Sequence, residues 1–139
     1  MTQANGSLEH PNLQLIRRYF AAIEQDASEA ELAGFFAPDV RQHEFPNRLV
    51  DKGAERDLAQ LLAGSSKGRQ VVQKQRYQVH GTFVDGERVA LELTWTAELK
   101  VPLASTPAGG TLKANCGVFF RIRDGLIAEQ HNYDCFDAF

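Results

Sequence analysis

The sequence predicts an α+β fold, with a strongly curved mixed or antiparallel sheet wrapped as a cone around about three N-terminal helices. Three observations carry this. Helical periodicity is confined to the first part of the chain, long alternating runs fill the rest, and the last two runs meet at Asp124-Gly125, a dipeptide suited to a tight hairpin. Helices followed by long antiparallel strands is the α+β order. Because a few helices cannot fill the whole concave face of such a sheet, a cavity is expected at its open end.

At 139 residues the chain has the length of one domain able to bury a core without staples. Residues 1–10 are polar and aperiodic and read as a tail, leaving 11–139 as a single domain. From Asn12, read as a helix cap, Leu13, Leu15, Ile16, Tyr19, Phe20 and Ile23 recur at helical spacing. Ser28 and Glu31 form a capping box for a second, shorter helix that carries Leu32, Phe35 and Phe36. Pro38 stops that helix, so Asp39 to Phe45 is read as extended, with His43 and Glu44 on opposite faces. A third helix is placed at Gly53 to Leu62, and Gly64-Ser65-Ser66-Lys67-Gly68 is read as a loop by composition.

Strands are expected at about Arg69 to Phe83, Glu87 to Leu99, Leu112 to Ile122 and Leu126 to Phe136. In the second of these, Val89, Leu91, Leu93, Trp95, Ala97 and Leu99 alternate with more polar partners, so one face is packed. A loop at Val84-Asp85-Gly86 would set Val79 opposite Leu91 and Tyr77 opposite Leu93. Pro102 to Gly110 reads as a surface loop bordering the pocket.

The final hairpin carries polar residues where a purely structural one would place aliphatic side chains. A two-residue turn pairs Phe119 with Gln130, Gly117 with Asn132 and Asn115 with Asp134 on one polar face. Cys116, Val118, Phe120 and Ile122 then fall on the outer face, where Val118, Phe120 and Ile122 need cover from a second copy, which predicts a homodimer. A three-residue turn would instead place Asn115 and Gly117 with Tyr133 and His131.

Composition narrows the function. The net charge of −3, with basic residues scattered, gives no field for gripping nucleic acid. No apolar run approaches the roughly 20 residues that span a bilayer, and no secretory leader pattern is visible, so a cytoplasmic protein without membrane contact is expected. Cys116 and Cys135 lack zinc or disulfide spacing and read as buried apolar residues. His43 and His131 also lack ligand spacing and fall on outward faces. No metal or organic cofactor is implied.

The stretch RRYFAAIEQDASEAELAGFFAPDV is similar to the opening helices of the nuclear transport factor 2-like superfamily, and RIRDGLIAEQHNYDCFD to its closing hairpin. The ketosteroid isomerase-like and SnoaL-like (polyketide cyclase) branches are the nearest resemblance. The isomerase pattern implies a tyrosine donor at Tyr19 and a carboxylate base at Glu44, with its second acid position falling on Gly117. The cyclase pattern puts its acid/base at Asn132. The limonene epoxide hydrolase pattern reaches Asp134 after a two-residue shift, with Tyr133 in place of its arginine.

These readings give Tyr19, Glu44 and Asp134 as candidate catalytic residues, and Asn115, Gln130, Asn132, Trp95 and Phe119 as candidate substrate contacts. They describe a cofactor-free acid-base enzyme (isomerase, cyclase, dehydratase or epoxide hydrolase) acting on a small apolar or amphipathic molecule. The alternative is a non-catalytic ligand-binding or interaction domain.

Overall fold

The computed structural model describes residues 9–139. Residues 1–8, most of the expected tail, lie outside the described residues. The elements run α1 (Pro11–Glu24), α2 (Glu29–Ala33), β1 (Phe36–Glu44), β2 (Ala54–Arg56), α3 (Leu58–Val71), β3 (Val72–Asp85), β4 (Arg88–Leu99), β5 (Thr111–Arg123) and β6 (Leu126–Phe136). The strands form one curved six-stranded sheet in the order β2-β1-β6-β5-β4-β3. β1 runs parallel to β6 and every other pair is antiparallel.

Helix α1 lays Leu13, Leu15, Ile16, Tyr19 and Phe20 into the core, as its periodicity predicts. Its cap is His10, not Asn12. The His10 ring accepts from the Asn12 amide at 3.1 Å while Pro11 occupies the first turn, where a missing N–H costs nothing. The Ser28–Glu31 capping box is present on α2. The expected third helix is displaced: 54–56 is an edge strand, and the helix runs on through the Gly-Ser-Ser-Lys-Gly segment read as a loop. An Asp57–Gln60 capping box starts α3. Tertiary docking then overrides its composition, since Ser66 bonds Glu29 and Arg69 bonds the Ala27 carbonyl.

Two register findings decide which side chains point inward. The β3–β4 turn holds two residues, with Asp85 opposite Arg88, and a bulge at His80 puts Val79 opposite Leu93 and Tyr77 opposite Trp95. The expected loop had the right faces but a shifted pairing. Asp124 and Gly125 do form the two-residue β5–β6 turn, both with positive φ (53° and 74°). However, Ile122 faces Ile127 while Arg121 faces Glu129, so Ala128 is an extra residue in β6.

That one-residue bulge inverts the expected hairpin. Phe120 faces Gln130, Val118 faces Asn132 and Cys116 faces Asp134. Val118, Phe120 and Ile122 are therefore core residues, and they do not form the outer apolar stripe expected of them. Asn115 and Phe119 are exposed on the convex side, and Gly117 lies there opposite Tyr133. Cys116 is buried as expected, but Cys135 is exposed.

Deleting Ala128 would remove the bulge yet leave Arg121 opposite Glu129, Phe120 opposite Gln130 and Cys116 opposite Asp134, so Gln130, Asn132 and Asp134 would still point inward. The deletion is expected to keep a cooperative thermal transition and to cost less than about 4 kcal/mol, read by circular dichroism. Loss of the cooperative transition would contradict this reading of Ala128 as the extra residue.

Candidate functional site

The concave face leaves two adjoining chambers. One, against β6, has a volume of about 210 Å³ and is lined in part by Tyr19, Glu44, Trp95, Cys116, Gln130, Asn132 and Asp134. The other, against α3, has a volume of about 460 Å³ and includes Gln42, Arg56, Leu61, Gly64, Lys67 and Leu103. Tyr19, Glu44, Leu49, Gln75, Tyr77 and Trp95 belong to both walls, so the chambers lie side by side. Of the residues singled out from sequence, Tyr19, Glu44, Trp95, Gln130, Asn132 and Asp134 meet here. Asn115 and Phe119 do not: Asn115 accepts instead from the Thr94 hydroxyl (3.0 Å) on the outer face.

Glu44 sits at the end of β1, aimed inward by the alternation that sends His43 and Phe45 outward, where their rings stack at 3.9 Å. Both of its oxygens are engaged. Arg56 Nη1 donates to Oε1 at 2.9 Å and also to Gln42 Oε1 at 3.0 Å, and Asn47 Nδ2 donates to Oε2 at 2.8 Å. Asn47 is fixed in turn by the Leu49 and Val50 amides, which donate to its Oδ1 at 2.9 and 2.8 Å. Gly53 closes this β1–β2 connection with φ of 68°; a Cβ there would come within 2.5 Å of the Glu44 carbonyl oxygen.

Asp134 is different. Its Oδ1 is buried with no hydrogen-bond partner. Burial is the largest influence on its carboxyl and raises the pKa. The Glu44 charge raises it further, while the Cys116 thiol and Asn132 act in the opposite direction. Gln130 is buried, donates from Nε2 to Asn132 Oδ1 at 2.9 Å, and leaves its own Oε1 unpaired.

Tyr19 is packed among Phe20, Phe35, Phe36 and Phe120. Burial pushes its phenol well above the ordinary range. The nearby Gln130 side chain opposes this in part, although Gln130 Oε1 has no hydrogen bond of normal length. The phenol therefore holds its proton and is available as a donor.

Sequence reasoning missed Tyr77, Gln75 and Arg56. Tyr77 stacks on Phe20 with ring centroids 4.3 Å apart, burial raises its phenol pKa, and Gln75 accepts from the Trp95 indole at 3.1 Å. A signal was present: Gln75 shares strand parity with Tyr77 and Val79, so it is a polar residue on a buried face. Among the described residues, no three of His, Cys, Asp and Glu come together as a metal-binding group.

A family model for the SnoaL-like domain matches residues 16–130. The chain belongs to the SnoaL-like family. Within the nuclear transport factor 2-like fold that this family shares, solved structures superpose over most of the chain. IdmH of Streptomyces antibioticus, a proposed polyketide cyclase, is 19% identical with a TM-score of 0.73, covering 90% of this chain and 92% of that one. TerC, co-crystallised with polyporic acid, is 18% identical with a TM-score of 0.70 over 92% of each chain. A protein of ketosteroid isomerase-like fold from Catenulispora acidiphila, in complex with trimethylamine, is 15% identical with a TM-score of 0.66 over 86% and 83%. No functionally curated protein matches the sequence. At these identities the structures establish the fold of this SnoaL-like chain. Its Gly117, onto which the isomerase resemblance maps a second acid, lies outside the cavity wall.

The burial of Asp134 sets a pH test. A carboxyl whose folded pKa is raised costs the folded state stability once it ionises, so that cost appears as pH rises from roughly 4, the unfolded value. Asp134→Asn is therefore expected to melt at a higher temperature than the parent at pH 7. The difference should close as the pH falls below roughly 4. A lower melting temperature for the variant at pH 7 would contradict this assignment.

Proposed function

We propose that this SnoaL-like protein binds a small, largely apolar carbonyl compound in the two-chambered cavity and moves a proton on it without a cofactor. The observation that carries this is the unpartnered, buried Oδ1 of Asp134 in a space also lined by Tyr19. Asp134 as carboxylate takes a proton from the carbon next to the carbonyl, and the electron pair moves onto the carbonyl oxygen. The Tyr19 hydroxyl donates to that developing oxyanion, with Gln130 and Asn132 completing the polar wall. Returning the proton to another carbon gives isomerisation; attack of the enolate carbon on a second carbonyl gives cyclisation. Because both Glu44 oxygens are already bonded, the proposal gives proton transfer to Asp134 and gives Glu44 the task of holding Arg56. The polyketide-cyclase and small-molecule associations of similarly folded proteins agree with this choice of substrate class.

A generic probe tests it before the natural substrate is identified. Exchange of the acidic α-hydrogens of 2-tetralone for deuterium, followed by proton NMR, should run faster with protein than in buffer. Asp134→Asn should lower the protein-dependent rate by about 10²- to 10⁴-fold, and Tyr19→Phe should lower it with little change in fold. Saturable binding of 2-tetralone with no catalysed exchange would favour the non-catalytic binding reading instead.

The proposal includes a homodimer through the convex sheet face, on a different basis from the sequence reading. Phe119 and Tyr133, 52% and 46% exposed, meet edge to face at 5.7 Å, and Tyr133 stacks on Phe45 at 4.4 Å. Such a contiguous aromatic patch on a sheet face is the kind of surface that a second copy covers. Light scattering at micromolar concentration should give twice the monomer mass, and Phe119→Glu should halve it. A monomeric parent would overturn the dimer without touching the cavity assignment.

A further inference from the structure

The α3-side chamber has a chemical asymmetry that the proton-transfer reading does not use. Its wall is mostly apolar, with Ile23, Leu32, Leu61, Val72, Leu103 and Leu112, but Arg56 and Lys67 also line it. The carboxylate in that wall is Glu44, which Arg56 already neutralises. Lys67 is exposed to solvent and leaves the chamber with a positive balance.

Arg56 is held in an unusual way. Its side chain is 24% exposed, and a single nitrogen, Nη1, makes the bonds to both Glu44 and Gln42. Among the described residues, Nε and Nη2 form no hydrogen bond. These two nitrogens are the edge of a guanidinium that receives a carboxylate side-on through parallel N–H···O bonds. A three-quarters buried cation that uses one nitrogen on the protein keeps most of its donors for something else.

Helix α3 meets that edge with a glycine. Gly64 lines the chamber, and a Cβ built on it would lie 3.7 Å from Arg56 Nε and 4.0 Å from Cδ. A methyl would fit, but a longer side chain directed that way would lie over the Nε edge. Gly68, one turn on, also lines the chamber. Each mid-helix glycine costs about 1 kcal/mol relative to alanine. Gly64 keeps the space beside the guanidinium open at that cost to the helix, and a Cβ on Gly68 would meet nothing within 4 Å on the same wall.

We propose that the α3-side chamber binds a carboxylate on the substrate through the Nε and Nη2 edge of Arg56, with Lys67 as a second, longer-range attraction. The inference rests on the cavity-binding reading above and narrows its substrate class to amphipathic acids. The apolar body lies along Trp95 and Tyr77, and the carbonyl to be deprotonated lies in the β6-side chamber near Asp134. In this arrangement Arg56 selects the substrate and sets its direction.

The test compares decanoate with decanol, an uncharged ligand of the same chain length. Trp95 is the chain's single tryptophan and lines both chambers, so its fluorescence reports occupancy. The parent is expected to bind decanoate at least tenfold more tightly than decanol at pH 7. Removing Arg56 alone would strand Glu44, so Glu44→Gln/Arg56→Met carries the test. It should cut decanoate affinity by about 10- to 100-fold, the range of a charge-assisted bond of roughly 1.5–3 kcal/mol, and change decanol affinity less than twofold. The surface change Lys67→Gln, which endangers no buried contact, should weaken decanoate two- to threefold and leave decanol unaltered. Equal affinity of the parent for the two ligands would overturn the carboxylate site while leaving the cavity reading in place. If neither ligand binds, the cavity reading itself fails.

Discussion

The extra residue in β6 is the constraint on which the candidate site depends. A β-strand alternates its side chains with period two, so one inserted residue exchanges the faces of everything beyond it. Ala128 is that residue, and downstream of it Gln130, Asn132 and Asp134 line the concave wall while His131 and Tyr133 join Phe45 and Phe119 outside. The same shift frees Val118, Phe120 and Ile122 to pack under α1 in the main core. Apolar packing on β5 and polar lining on β6 are thus two results of one backbone irregularity. The parallel pairing of β1 with β6 extends it, setting Glu44 beside Asn132 at the rim of the same space.

Within that wall, two carboxylates are held in contrasting environments. Glu44 has a cation on one oxygen and an amide donor on the other, supplied by a turn that Asn47 and Gly53 shape. Asp134 is half-buried, with its Oδ1 shut off from solvent and left bare, and its neighbours are a thiol, a carboxamide and the charge of Glu44. Burial penalises the ionised form of Asp134. Two groups of the same chemistry are thereby given different tasks, one as scaffold and one as the proton acceptor of the proposed reaction. An unpaired buried oxygen destabilises the fold, and such a cost is commonly kept where a ligand completes the bond.

Much of the fold was legible because burial leaves a periodic trace. The α1 face, the α2 capping box, the alternation of Val89 to Leu99 and the positive-φ turn at Asp124-Gly125 all follow from local rules and all appear. What was not legible had non-local causes. Nothing about Ala128 distinguishes a bulge from an ordinary strand residue, so the polar face of the final hairpin was identified on β6 but assigned the wrong β5 partners. Hence Asn115 and Phe119 were drawn into a site they do not reach. The Gly-Ser-Ser-Lys-Gly segment has loop composition, yet it is helical because Arg69 and Ser66 anchor it to the α1–α2 connection. Arg56 was hidden for the same reason: placed in a helix by pattern, it belongs to an edge strand whose pairing turns it toward Glu44.

Asp134 holds its Oδ1 away from solvent and unpaired inside the cavity, and the proposed chemistry depends on that desolvation. The most direct measurement is the side-chain carboxyl ¹³C shift of Asp134 followed by NMR from acid to neutral pH, assigned by its loss in Asp134→Asn. The midpoint is expected to be displaced upward from the roughly 3.9 of an ordinary aspartate. A midpoint at or below that value would overturn this reading, because the carboxyl would then be solvated or paired.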